Sequence, residues 1–207
     1  MVVRDGRPGN QMTTELCKIA FYYRTDKCPQ IRHSYTSFYH NLFKDKRNEV
    51  KKVFEMGIGF PGTMGHVEKK IGKPYITGAS LMMWRDYFPN ATVYGADWDG
   101  RAMVEGEERI KTFICDERYA QDIKLMIDKT GRDIDIFIDD GAHEHKFQVF
   151  LAKTVLPLLK KDVIYIIEDV FSPRRVVKEL NNLGYECEAP KLEKEGYREN
   201  LIIVRNK

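Results

Sequence analysis

The sequence predicts an α/β fold: a mostly parallel sheet of seven strands with helices on both faces and an antiparallel hairpin at the C-terminal end. Three observations carry this. From Lys52 onward, short apolar runs alternate with longer amphipathic segments, the pattern of parallel strands joined by covering helices. Acidic residues recur at the ends of those runs, where the strands of an open α/β sheet meet their ligand. The last two apolar runs follow one another with no helical segment between them.

The elements follow in order. Residues 1–45 stand apart, because Phe21, Tyr22, Tyr23, Tyr35, Phe38, Tyr39 and Phe43 make them aromatic; they are predicted as a helical cap on a single globular unit at 46–207. VFEMGIG (53–59) is the first strand, entering a glycine turn. A helix is predicted over Thr77 to Phe88, where Leu81, Trp84, Tyr87 and Phe88 recur at helical spacing and Pro89 stops the run. TVYGAD (92–97) and IKTFICD (110–116) are the second and third strands, and the segment with Ile123, Leu125, Met126 and Ile127 is helical. IDIFIDD (134–140) is the fourth strand. The segment from His145 to Leu159 then places Phe147, Phe150, Leu151, Val155 and Leu158 on one helical face. DVIYIIED (162–169) is a fully buried fifth strand, and Pro173 and Gly184 open and close a last helix. YECEAPKL (185–192) and NLIIVRN (200–206), joined by the charged stretch Glu193 to Glu199, form the hairpin.

Composition narrows the function classes. A chain of 207 residues with 43% hydrophobic content suits one compact domain. Lys and Arg number 34 against 31 Asp and Glu, interspersed along the chain, so the electrostatic footprint of a nucleic-acid binder is missing. Cys17, Cys28, Cys115 and Cys187 lack C-x-x-C spacing, which argues against a zinc site and a disulfide framework and for a reducing compartment. The start MVVRDGRPGNQ reads as polar and glycine-bearing rather than as a basic stretch followed by an apolar core, and no apolar run approaches the roughly 20 residues of a membrane span. A soluble cytoplasmic protein is expected, in a host cytoplasm if the source is viral.

Gly57, Gly59 and Gly62 spell G-x-G-x-x-G, which raises a dinucleotide reading. A pyrophosphate site needs a helix opening directly after the turn. Here Pro61, Gly62, Gly65, Gly72, Pro74 and Gly78 interrupt the sequence, and the predicted helix begins only at Thr77. S-adenosylmethionine carries no phosphate; its pocket needs close backbone approach and carboxylates for an ammonium group and ribose hydroxyls. Glu55 supplies an acid beside the first glycine. Asp97 stands where either cofactor would have its ribose bound, and Asp116 is placed to accept from an adenine amino group. Taken singly, Asp97 or Asp116 reads first as a loop or capping residue; their ordered recurrence points to a site.

Asp139 and Asp140 end the fourth strand, and Glu168 and Asp169 end the fifth. Four carboxylates on neighbouring strands are costly together unless protonated or neutralised by a cation. Oxygen ligands favour a hard ion, magnesium (or manganese) before calcium, on which a substrate hydroxyl would lose its proton more easily. His143, three residues after Asp140, is positioned as the general base, whereas His145 starts the next helix and faces solvent.

These residues carry a resemblance. FIDDGAH, YIIEDV and GASLMMWRDYFPNATVYGADWD, with YYRTDK and HSYTSFY upstream, resemble the metal-dependent sugar O-methyltransferases typified by macrocin, mycinamicin and rhamnosyl O-methyltransferases, from about Tyr22 to Asp169. The resemblance implies a Rossmann-like class I methyltransferase fold, with Asp140, Glu168 and Asp169 as metal ligands and His143 as the base. It implies S-adenosylmethionine contacts at Glu55, Gly57, Ser80, Asp97, Asp116 and Asp139, with Tyr35 and Thr25 to Lys27 closing over the methionine end. Ala142 stands where the family usually has serine, which removes one hydroxyl. The expected activity is transfer of the methyl group to a sugar or glycan hydroxyl, rhamnose first, by in-line attack of a magnesium-held alkoxide. A homo-oligomer, or a domain of a larger glycan-synthesis protein such as that of a chlorovirus, is compatible with it. A catechol-type O-methyltransferase, an NAD-dependent oxidoreductase and a non-catalytic glycan-binding module are the alternatives.

Overall fold

The computed structural model describes residues 14–193 and 200–206. Seven strands form one sheet in the order β3-β2-β1-β4-β5-β7-β6. Strands β1 (Lys52–Met56), β2 (Thr92–Asp97), β3 (Ile110–Ile114), β4 (Ile136–Asp139) and β5 (Ile164–Ile167) are parallel. The hairpin strands β6 (Glu186–Glu188) and β7 (Ile202–Arg205) are antiparallel to each other, and β7 inserts between β5 and β6. Of the linker predicted at Glu193 to Glu199, residues 194–199 lie outside the described residues, as do residues 1–13 of the cap.

Helices cover both faces because successive strand residues point to opposite sides. Val53, Val93, Ile136, Ile138, Ile164 and Ile166 face one core, shared with α1 (Glu15–Tyr23), α2 (Tyr35–Phe43), α3 (Gly65–Ile71) and α4 (Ala79–Tyr87). Phe54, Met56, Tyr94, Phe137, Tyr165 and Ile167 face the other, against α5 (Ala120–Thr130), α6 (His145–Val155) and α7 (Pro173–Asn182). The helices end where local chemistry ends them. Thr14 caps α1 by accepting the Cys17 N–H at 3.1 Å, Gly72 closes α3 in a left-handed turn, and Pro173 opens α7.

The N-terminal helices are part of the first core: Tyr39 meets Trp84 edge-on at 5.4 Å, and Phe43 meets Phe88 at 5.6 Å. One element differs from expectation. A seven-residue helix, α3, opens at Gly65, within the stretch whose glycines and prolines predicted none before Thr77. Gly62 lies in the turn before it, so the third glycine of the motif is not inside a helix. No helix among the described residues is long and apolar enough to cross a membrane.

Strand order reverses between β1 and β4, so their C-terminal ends splay their following loops apart and open a crevice. Beneath it, Phe137 stacks between Phe54 at 4.7 Å and Tyr165 at 5.0 Å, fully buried. Phe137→Ala should therefore cost about 3–5 kcal/mol, read as a lowered urea midpoint with little change in m-value.

Candidate functional site

A cavity of about 690 Å³ sits over the C-terminal ends of the parallel strands, a volume typical of small-molecule sites. Its floor is where the β1 and β4 turns touch. The Asp140 N–H donates to the Met56 carbonyl at 2.8 Å, and a Cβ at Gly57 would overlap the Asp140 carbonyl oxygen. Gly57 also has φ +91°, so no other residue fits there without strain.

On the β2–β3 side, Asp97 holds the glycine turn: Oδ2 accepts the N–H groups of Ile58 and Gly59 at 3.0 and 3.2 Å, and Oδ1 accepts that of Asp99 at 3.0 Å. Trp98 beside it borders the cavity with 64% of its surface exposed. The Asp116 carboxylate is engaged by the Arg118 guanidinium, with Nη2 at 2.6 Å, which draws its pKa below the usual range. Glu117, the next residue, is buried and accepts the Ala142 N–H through Oε1 at 2.7 Å. Burial pushes its carboxyl up to about 7; the Ala142 bond opposes this, and Asp116, Asp97 and Asp140 add to it.

On the β4–β5 side a lysine lies among the acids. Lys27, 2% exposed, donates to Glu168 Oε2 at 2.5 Å and Asp140 Oδ2 at 2.6 Å, with Glu55 Oε1 at 3.6 Å. Burial works against its charge, but Asp140, Glu168 and Glu55 together raise its pKa well above the usual lysine value. Glu55 also accepts from the Ser80 hydroxyl at 2.6 Å and the Trp84 indole at 2.5 Å. The second oxygen of Glu168 accepts from the Tyr39 hydroxyl at 2.5 Å. Asp169 Oδ1 accepts from the Tyr35 hydroxyl at 2.7 Å, and His33 Nε2 stands 3.4 Å from the same oxygen.

His143 sits between the two acidic strand ends. Its Nε2 is 3.9 Å from Asp140 Oδ1 and 4.0 Å from Asp169 Oδ2, and its φ of +56° is rare for a residue with a side chain. Its buried Nδ1 has no hydrogen-bond partner among the described residues. The donor set suits a hard cation in part. Asp140 Oδ1 and Asp169 Oδ2 both stand within about 4 Å of His143 Nε2, whereas Lys27 and Tyr39 engage both oxygens of Glu168. No preassembled group of three ligating side chains exists among the described residues.

All the sequence-predicted site residues border the cavity except Asp139 and Tyr35. Asp139 pairs in register with Met56 and so faces the opposite core, where Tyr165 donates to its Oδ2 at 3.3 Å. Burial, with Glu117 nearby, raises its pKa well above the usual value. Tyr35 is buried behind Asp169 and braces it rather than facing the cavity. The Lys27 ammonium lies among the carboxylates of Glu168 and Asp140. His145 starts α6 as expected, and its Nε2 meets Glu179 Oε2 at 2.7 Å in an exposed contact. Sequence reasoning missed Glu117, His33 and Tyr39. Glu117 follows Asp116 directly, and the other two lie within HSYTSFY, so their positions carried the available signal.

Two outcomes follow for stability. Lys27→Met removes one partner of a buried ion cluster and should cost about 3–5 kcal/mol in urea unfolding. Glu117 is protonated in both folded and unfolded states below pH 4.5, and ionised in both above about 7. Between these values the unfolded state releases its proton first, so native stability falls as pH rises, by up to about 3 kcal/mol. Glu117→Gln should flatten that slope in urea titrations from pH 4.5 to 7.5.

No protein family model matches the chain. The chain is 30% identical over 166 residues to the 8-demethyl-8-(2-methoxy-alpha-L-rhamnosyl)-tetracenomycin-C 3'-O-methyltransferase of Streptomyces olivaceus, covering 80% of this chain and 38% of that protein. It is 30% identical over 158 residues to the mycinamicin VI 2''-O-methyltransferase of Micromonospora griseorubida, covering 76% and 36%. A solved methyltransferase of the mycinamycin biosynthetic pathway, in complex with Mg, SAH and mycinamycin VI, superposes with a TM-score of 0.71 at 24% identity. That match covers 93% of this chain and 53% of the other, and it shows the fold. The chain thus spans well under half the length of these curated relatives.

Proposed function

We propose that this chain, whose curated homologues are sugar O-methyltransferases and whose fold is that of class I methyltransferases, transfers the methyl group of S-adenosylmethionine to a sugar hydroxyl with the help of a divalent cation. The observation that carries the reading is the position of His143 Nε2 between Asp140 Oδ1 and Asp169 Oδ2, at 3.9 and 4.0 Å, on the wall of a cavity over the strand-order reversal. When bound, S-adenosylmethionine supplies a methyl group made electrophilic by its sulfonium, and magnesium or manganese supplies charge that makes an acceptor hydroxyl more acidic.

The chain's own residues then have three tasks. Asp97 and Asp116 take the ribose and adenine ends of the donor, and Glu55, Gly57, Ser80, Thr25 and Lys27 surround its methionine end. Asp140 and Asp169 would hold the cation, while the Glu168 oxygens are engaged by Lys27 and Tyr39. His143 accepts the acceptor's proton at Nε2. Holding donor and acceptor in line supplies much of the remaining acceleration. Rhamnose is the acceptor sugar of first choice, because the tetracenomycin relative is named for a rhamnosyl unit.

Incubating the chain with labelled donor and a panel of rhamnosides should yield S-adenosylhomocysteine and a methylated sugar. A chelator should abolish the signal and added magnesium or manganese restore it. His143→Ala and Asp140→Asn should each lower kcat by about 10²- to 10⁴-fold. Full turnover by both variants would sink the assignment, and methylation of catechols in place of sugars would redirect it.

A further inference from the structure

We propose that Glu117 is a positioning residue: its carboxyl locks the turn from Gly141 to His143, and residue 141 is glycine because that carboxyl fills the place of its side chain. The inference rests on the reading of His143 as the base.

Glu117 leaves the sheet after β3, and β2 and β1 separate it from β4. Its side chain nevertheless reaches the β4 turn, where Oε1 accepts the Ala142 N–H at 2.7 Å. A Cβ at Gly141 would overlap Glu117 Oε2 and lie 2.6 Å from Cδ, closer than real atoms approach. Gly141 is not among the residues with positive φ, so its backbone would accept an ordinary side chain. At Gly57 the chain conformation itself demands glycine; at Gly141 only the neighbouring carboxyl does.

The residues on either side of Gly141 and Ala142 are Asp140 and His143. His143 has φ +56°, and a non-glycine residue keeps such a conformation only where its surroundings impose it. The Glu117 bond fixes the Gly141–Ala142 peptide, one residue ahead of it. With alanine at 142, the turn has no side-chain hydroxyl of its own there, so this tether runs through the backbone. Releasing it would let the imidazole move relative to Asp140 and Asp169.

A double-mutant cycle tests this with two readouts. Gly141→Ala should lower the melting temperature by roughly 3–8 °C in the native background and by less than half of that in Glu117→Ala, where space has been made. In steady-state assays, Glu117→Ala should lower kcat about 10- to 100-fold while the KM for S-adenosylmethionine moves less than about threefold. Glu117→Gln, which keeps an oxygen for the Ala142 N–H, should recover most of the lost kcat. An equal cost of Gly141→Ala in both backgrounds would overturn the steric claim. A loss confined to donor KM, or no recovery in Glu117→Gln, would overturn the positioning claim. The melting cycle needs no acceptor, so it decides the steric claim even if native protein methylates no sugar, a result that would count against the proposed function instead.

Discussion

Glu55, Asp140 and Glu168 share one enclosed volume because the Lys27 ammonium lies among them. Three carboxylates this close would otherwise have to take up protons or open to water. Lys27 sits on the turn between α1 and α2, so the N-terminal segment supplies the counter-charge as well as a wall of the core. The aromatic residues around it serve the same arrangement. Tyr39 and Trp84 touch edge-on while their polar atoms reach Glu168 and Glu55, so the rings exclude water and the hydroxyl and indole N–H satisfy acids that burial would leave exposed to their own repulsion.

Strand parity decides which acids take part. Glu55 and Glu168 each stand beside a residue that belongs to the opposite core, Met56 and Ile167, and so both point toward the face that Lys27 covers. Asp139 has the other parity and meets Tyr165 beneath the sheet. Asp140, one residue on, has left the strand and turns back to Lys27. Two adjacent carboxylates that look equivalent in FIDDGAH therefore end in separate environments: Asp140 borders the cavity, and Asp139 lies in a core that raises its pKa.

The cavity has two chemically distinct ends. One is held by backbone: Asp97 takes three N–H groups of the glycine turn and the residues after β2, which leaves the loop little freedom. The other is held by ionic and hydroxyl contacts among side chains, Lys27, Tyr35, Tyr39 and the acids they engage. Under the proposed function the first suits the nucleoside end of the donor, and the second suits charge that changes during reaction. Glu117 joins the two, since it leaves the β3 end and bonds the turn that carries His143.

Much of this molecule was legible in its sequence. The apolar runs marked all seven strands, the spacing of Leu81, Trp84 and Tyr87 marked α4, and most of the acids at the strand ends border the cavity, because periodicity and burial are local properties. Four things were not legible: α3, hidden between glycines; the insertion of β7 between β5 and β6; the burial of Asp139 away from the cavity; and the partners of Lys27, which lie 113 and 141 residues along the chain. Local pattern reports which face of an element is apolar, and it carries no record of which distant loop will lie across that element's end. Strand order and register settle that, and only tertiary structure contains them.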